Sequence, residues 1–199
     1  MDRTTSTRPF HVVAIGGSVR PRSSTELALR AVLRCAAERG AATTLVTGPD
    51  LALAPYEPGV VNPAARRMLD SVEAADALVL GSPGYHGTVS GLVKNAVDYL
   101  EELRGGARCY VDGVPVGCVA TAYGWQAAVN TLGTLRVLGH SLRGWPTPLG
   151  IALNMATGPV FGDDGEVLDP AVAASVDIMA SQLVSFGRED AGAASVPVA

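Results

Sequence analysis

The chain of 199 residues sets 15 Lys and Arg against 19 Asp and Glu, for a net charge of −4, with 48% hydrophobic and 17% charged residues. That length suits one domain burying roughly 70% of its unfolded surface, and the composition excludes a disordered chain. The acidic balance gives nucleic-acid binding little support, no apolar run reaches the ~20 residues that span a bilayer, and Met1–Pro9 lacks the apolar stretch of a secretory signal. No nucleic-acid or membrane partner is therefore expected, and the location expected is cytoplasmic.

Phe10–Ile15 is the first candidate strand. Leu29, Val32, Leu33 and Ala36 then recur at helical spacing, with Ser23 and Glu26 spaced as a capping box before them and Gly40 as a stop. Thr43–Thr47 is β-branched and reads as the second strand. After a loop with Pro49, Pro55 and Pro58, Asn62-Pro63 opens a helix with Ala65, Met68, Leu69 and Val72 on one face. Ala77–Leu80 is the third strand, and Gly81–Ser90 a second loop. Ser90 caps a helix with Val93, Ala96, Val97 and Leu100 inward, broken at Gly105-Gly106. Pro115–Ala120 reads as strand four, followed by the loop Thr121–Trp125 and a helix over 126–138. A fifth strand lies within Leu142–Ile151, its limits obscured by Pro146 and Pro148. Beyond a turn-rich excursion over Gly158–Gly165, Asp169-Pro170 starts a last helix with Val172, Val176, Met179, Leu183 and Phe186 inward. Residues 1–9 are expected to be a flexible N-terminus, 10–187 the single domain and 188–199 a flexible C-terminal tail.

Cys35, Cys109 and Cys118 are odd in number and far apart, which argues against a disulfide framework or a metal cluster. Cys35 in a helical pattern and Cys118 in a strand-like run read as small core residues.

Alternating strands and helices imply an α/β fold with a parallel sheet and right-handed crossovers. Five strands suit a three-layer sandwich of flavodoxin-like order 2-1-3-4-5, with helices on both faces and a ligand beyond the carboxyl ends of the strands. The loops after strands one, three and four converge there. In the first, Ser18, Ser23, Ser24 and Thr25 offer hydroxyl donors, Arg20 offers a guanidinium, and helix-terminal amides add a favourable dipole. The bland alternative is a capped turn with Arg20 and Arg22 in solvent. There is no G-x-x-x-x-G-K-[ST], no G-x-G-x-x-G after the first strand and no G-x-S-x-G, which disfavours a P-loop NTPase, a dinucleotide-type fingerprint and a serine hydrolase.

The second loop, Ser82-Pro83-Gly84-Tyr85-His86-Gly87-Thr88-Val89-Ser90-Gly91, continues into Leu92-Val93-Lys94-Asn95-Ala96-Val97-Asp98. Together with Gly17-Ser18-Val19-Arg20-Pro21-Arg22-Ser23-Ser24-Thr25 upstream, it closely resembles the NADPH-dependent FMN reductase family, from Phe10 to Phe186. The resemblance implies that Ser18, Arg20, Ser23 and Thr25, with Ser24 beside them, bind the FMN phosphate. It implies that Pro83, Gly84, Tyr85, His86 and Gly87 hold the isoalloxazine, through backbone amides that stabilise charge on the reduced ring and through the tyrosine. His86 more readily supplies its backbone than an acid, and Lys94, Asn95 and Asp98 cap, pair or support a subunit contact rather than react. Ala122, Tyr123 and Gly124 of the third loop complete the cofactor set. Gly84 stands where the family usually carries a larger, often acidic residue, so a different pocket width is expected. Tyr123 and Trp125 replace a Gly- and Ser-rich segment, and either line the flavin edge, close the substrate side or pack at a dimer seam.

The function this implies is an FMN-dependent NAD(P)H oxidoreductase, with hydride passing from NADPH or NADH to flavin N5 and on to an acceptor, and with no catalytic side chain. The acceptor stays open among free FMN for a partner monooxygenase, quinones, azo compounds and one biosynthetic intermediate. A homodimer or homotetramer is expected. The rival readings are a flavodoxin-like electron carrier and a flavin-free binding protein.

Overall fold

The computed structural model describes residues 8–193, with side chains described as far as Phe186. Its strands are β1 (His11–Gly16), β2 (Ala42–Val46), β3 (Ala77–Tyr85), β4 (Thr88–Val89), β5 (Pro115–Ala122), β6 (Trp145–Pro146) and β7 (Ile151–Asn154). Its helices are α1 (Ser24–Glu38), α2 (Pro63–Glu73), α3 (Gly91–Asp98), α4 (Trp125–Ser141) and α5 (Pro170–Ala193). The main strands are parallel in the order β2-β1-β3-β5, and β6 and β7 share the outer side of β5. Taken as one broken strand, β6 and β7 give the flavodoxin-like order 2-1-3-4-5.

The central strands are nearly continuous apolar runs because both sheet faces are covered. Alternation sends Val12, Ala14, Ala77, Val79 and Val119 into one core with Leu29 and Val32 of α1 and Met179 and Leu183 of α5. Val13, Ile15, Leu78, Leu80, Val116 and Cys118 enter the other core, with Met68, Leu69, Val97 and Leu135. Each such side chain contributes roughly 1.5–3 kcal/mol relative to exposure, so the two cores fix the sheet between its helix layers.

Helix starts follow local chemistry. Ser23 accepts from the Glu26 amide and Asn62 from the Ala64 amide, with Pro63 in the first turn of α2. Ser90 accepts from the Val93 amide. The capping box is only half formed, because the Glu26 carboxylate takes the amide of Arg22 rather than that of Ser23.

Three expectations are corrected. The third strand does not stop at Leu80: it runs to Tyr85 and turns back through Thr88–Val89 as a hairpin. Pro83 hid this extension, but β1 has ended by then, so a residue without an N–H sits on what is locally an edge. The fifth strand is split, residues 147–150 standing opposite 117–118. Trp145 donates to the Val114 carbonyl just before β5 and Thr147 to the Val116 carbonyl within it, and the alternate positions are Pro146 and Pro148, so the outward side of this edge has no N–H there. Phe186 is not inward but 39% exposed, its ring 6.1 Å from that of Trp145. The last helix, α5, extends to Ala193, and 194–199 and 1–7 lie outside the described residues. Arg8 is held by both oxygens of Asp76 at 2.7 and 2.6 Å.

Cys118 is 1% exposed, and burial pushes its thiol up to about 12, while Cys35 and Cys109 are partly exposed. Since the thiolate is the reactive form, Cys118 should resist a thiol reagent at pH 8 and react only after denaturation. Peptide mapping that finds Cys118 labelled in the native protein contradicts this placement.

Candidate functional site

The carboxyl ends of β1, β3 and β5 lie along the same edge of the sheet, with β3 and β5 running on past the end of β1. Gly16 of β1 pairs with Gly81 of β3, and the Gly17 amide still donates to the Gly81 carbonyl at 3.3 Å. A Cβ on Gly16 would lie 1.9 Å from that carbonyl oxygen, and its φ of +152° belongs to glycine. The first loop therefore leaves the sheet pressed against β3, beside the residues that carry the second cluster.

Ser18, Arg20, Ser23, Ser24, Thr25, Pro83, Gly84, Tyr85, Ala122 and Tyr123 line one cleft. Thr121 and Met155 line it too, and neither was among the sequence-predicted site residues. Thr121 is the penultimate residue of β5, and Met155 follows β7, whose position the sequence obscured. The rule that ligands sit beyond strand ends would have found both, given the right strand limits. His86, Gly87 and Gly124 are not part of the lining. His86 and Gly87 form the two-residue hairpin tip, with φ +52° and +85°, the left-handed pair that a type I′ turn requires. Gly124 precedes α4.

The cleft's polar lining consists of donors. Arg20 is its one charged lining residue and is exposed, and no carboxylate lines it. The Ser18 hydroxyl accepts from the Arg20 amide at 3.2 Å, which folds the loop over itself. The Ser23 hydroxyl uses a lone pair as cap, so its hydrogen is available to an anion. Ser24 and Thr25 occupy the first turn of α1, whose N–H groups have no intrahelical carbonyl. The nearest acid, Glu26, is buried and turned away, bonded to the Arg22 amide at 3.0 Å and to Arg30 at 2.9 and 2.8 Å. Arg22 itself has φ +55°, and its guanidinium donates to the Asp163 carbonyl, so the excursion that looked like a turn braces the loop. Arg34 adds a bond to the Gly165 carbonyl at 3.0 Å. A lining of hydroxyls and one arginine without a carboxylate, beside a Glu26 already paired to Arg30, fits a phosphate.

The other half of the cleft is backbone and aromatic ring. Gly84 has no side chain because α4 fills the space: a Cβ there would meet Thr131 Oγ1 at 2.7 Å and both Ala122 Cβ and the Ala127 carbonyl at 3.2 Å. Thr131 is in turn bonded to the Thr88 carbonyl at 3.2 Å, so α4 packs closely on the end of β3. Tyr85, Tyr123 and Trp125 are exposed by 55%, 79% and 57%, an uncommon concentration of open aromatic surface.

Fold and cleft together define a flavodoxin-like α/β protein with a crevice lined by hydroxyls and one arginine at the strand ends. Residues 10–158 match the family model NADPH-dependent FMN reductase, and the chain belongs to that family. It is similar to an FMN-dependent NADPH-azoreductase of Staphylococcus haemolyticus strain JCSC1435, 35% identical over 119 residues; the match spans 59% of this chain and 59% of that relative's length. Among solved structures it resembles FerB, a flavoenzyme NAD(P)H:(acceptor) oxidoreductase from Paracoccus denitrificans, with TM-score 0.73 and 19% identity over 89% of this chain and 98% of that one. A flavodoxin, WrbA-like protein from Agrobacterium tumefaciens gives TM-score 0.64 and 17% identity over 92% and 99%. At these identities the structural likeness establishes the fold.

The crowding at Gly84 predicts a coupled pair. Gly84→Ala should destabilise the protein by about 1–3 kcal/mol through overpacking. Combined with Thr131→Ala, the loss should be smaller than the sum of the single variants, as for residues sharing one space. Strictly additive melting-temperature shifts would contradict the contact.

Proposed function

We propose that this chain is an FMN-dependent NAD(P)H oxidoreductase that delivers electrons to a small-molecule acceptor. The observation that carries it is one cleft uniting a hydroxyl- and arginine-bearing loop, the glycine-tyrosine end of β3 and the end of β5. In this reading Ser18, Ser23, Ser24, Thr25 and Arg20 hold the FMN phosphate. Pro83, Gly84 and Tyr85 carry the ring system, with His86, Gly87, Ala122, Tyr123 and Gly124 framing it. Bound there, FMN would supply the two-electron redox chemistry between NADPH or NADH and the acceptor.

The protein's part is position and electrostatics. The donors of the first loop place the anion, and the strand-end backbone fixes the plane of the ring. Tyr85 covers one face, a contact worth ~1 kcal/mol. The open rings of Tyr123 and Trp125 suit a planar partner, and the name of the staphylococcal relative points to azo compounds within an acceptor class that also takes in quinones and free FMN for a monooxygenase. Among the described residues no helix is long and apolar enough to cross a membrane. Cytoplasmic action without nucleic acid accords with the acidic balance.

We further assign the exposed face of α4 to self-association as a homodimer or homotetramer. Trp125, Val129 and Val137 are exposed along it, and the helix carries no acid or lysine. Such a face suits an interface core, where charged residues are scarce.

The test is to mix the FMN-loaded protein anaerobically with NADPH and with NADH. Bleaching of the visible flavin band with re-oxidation by an azo dye or quinone is the expected outcome. A band that does not bleach with either nicotinamide would favour an electron carrier. Arg20→Ala should bind FMN about 10- to 150-fold more weakly, having lost a charged hydrogen bond of roughly 1.5–3 kcal/mol. Unchanged affinity in a fluorescence titration removes Arg20 from the phosphate site.

A further inference from the structure

One hydrogen bond joins two walls of the cleft. Thr25 in the first turn of α1 and Thr121 near the end of β5 approach with their hydroxyl oxygens 2.6 Å apart. Both side chains are buried, at 1% and 4% exposure, and both border the cleft. Thr121 shares a face of β5 with Val119, and where Val119 belongs to the core under α1, Thr121 presents a hydroxyl instead. Nothing about sheet packing requires a polar group there.

Each hydroxyl owns one hydrogen, so in this pair one group donates and the other accepts. A phosphate only accepts. If Thr25 gave its hydrogen to Thr121, its lone pairs would face the anion and repel it. With the direction reversed, Thr121 donates to Thr25, and the Thr25 hydrogen is left for a phosphate oxygen. A chain of hydroxyls polarised toward an anion strengthens each of its bonds.

We propose that Thr121 is a positioning residue for anion binding: it orders the Thr25 hydroxyl as a donor, and so ties the phosphate grip to the strand that carries the ring cradle. The inference rests on the cofactor reading given above and adds to it a residue that does not itself touch the phosphate.

The test compares FMN with riboflavin, which has the same ring system and no phosphate, by fluorescence titration of the wild type and of Thr121→Val, Thr25→Val, the double variant and Thr121→Ser. Thr121→Val should weaken FMN about fivefold to tenfold, the loss of one net hydrogen bond, and leave riboflavin within about twofold. The double variant should bind FMN no more weakly than Thr25→Val alone, and Thr121→Ser should match the wild type. Equal losses for both flavins, additive effects in the double variant, or a Thr121→Ser as weak as Thr121→Val would each overturn the relay. If Thr121→Val does not fold, Thr121→Ala takes its place: without a donor hydrogen it should reproduce the FMN-specific loss, and unchanged FMN affinity would refute the proposal. A wild type that binds neither flavin refutes the cofactor reading itself, a result distinct from FMN binding that is indifferent to Thr121.

Discussion

The whole site depends on two backbones touching. Gly16 and Gly81 stand in register with no room for a Cβ between them, and this contact brings the first loop out of the sheet alongside the end of β3. Had either strand been displaced by one residue, the serine-rich turn and the tyrosine-bearing hairpin would leave the sheet at different heights. Parallel pairing makes that contact durable, because the register is locked by the cores on both faces and a slip would reverse every side chain. The rigidity of the site thus originates in the packed interior, while its chemistry lies at the rim.

Electrostatics follow the same division. A dianion near a helix N-terminus is favoured by dipole and amides, yet this N-terminus already holds a carboxylate three residues in. Glu26 would compete with the ligand were it not turned back onto Arg22 and Arg30. Its negative charge is spent on the loop's own left-handed corner, and the braced loop then presents hydroxyls and Arg20 outward. The excursion around Asp163 and Gly165 joins this bracing, so a segment distant in sequence sets the geometry of the turn.

Much of this was legible beforehand because it rests on local signals. Apolar runs gave β1 and the first parts of β3 and β5, a β-branched run gave β2, helical spacing gave the inward faces of α1, α2 and α3, and Ser23, Asn62 and Ser90 marked starts by capping chemistry. What escaped depends on neighbours. Pro83 can sit in a strand only because β1 has already ended, which no local window reveals. Pro146 and Pro148 break the outer strand, and that moved Met155 out of the expected site. Thr121 looked like loop, yet it is a strand residue whose partner lies in α1. Phe186 has helical spacing for the core but lies where the sheet edge has thinned to Trp145.

That outer edge has a consequence for how the molecule meets its own kind. Two prolines occupy the positions whose amides would point away from the sheet, and the strand is interrupted immediately after them. An incoming strand would find carbonyls without matching amides at this flank, so lateral growth of the sheet from one molecule into the next is obstructed here. The same residues that made the strand hard to see thus guard this flank against strand addition.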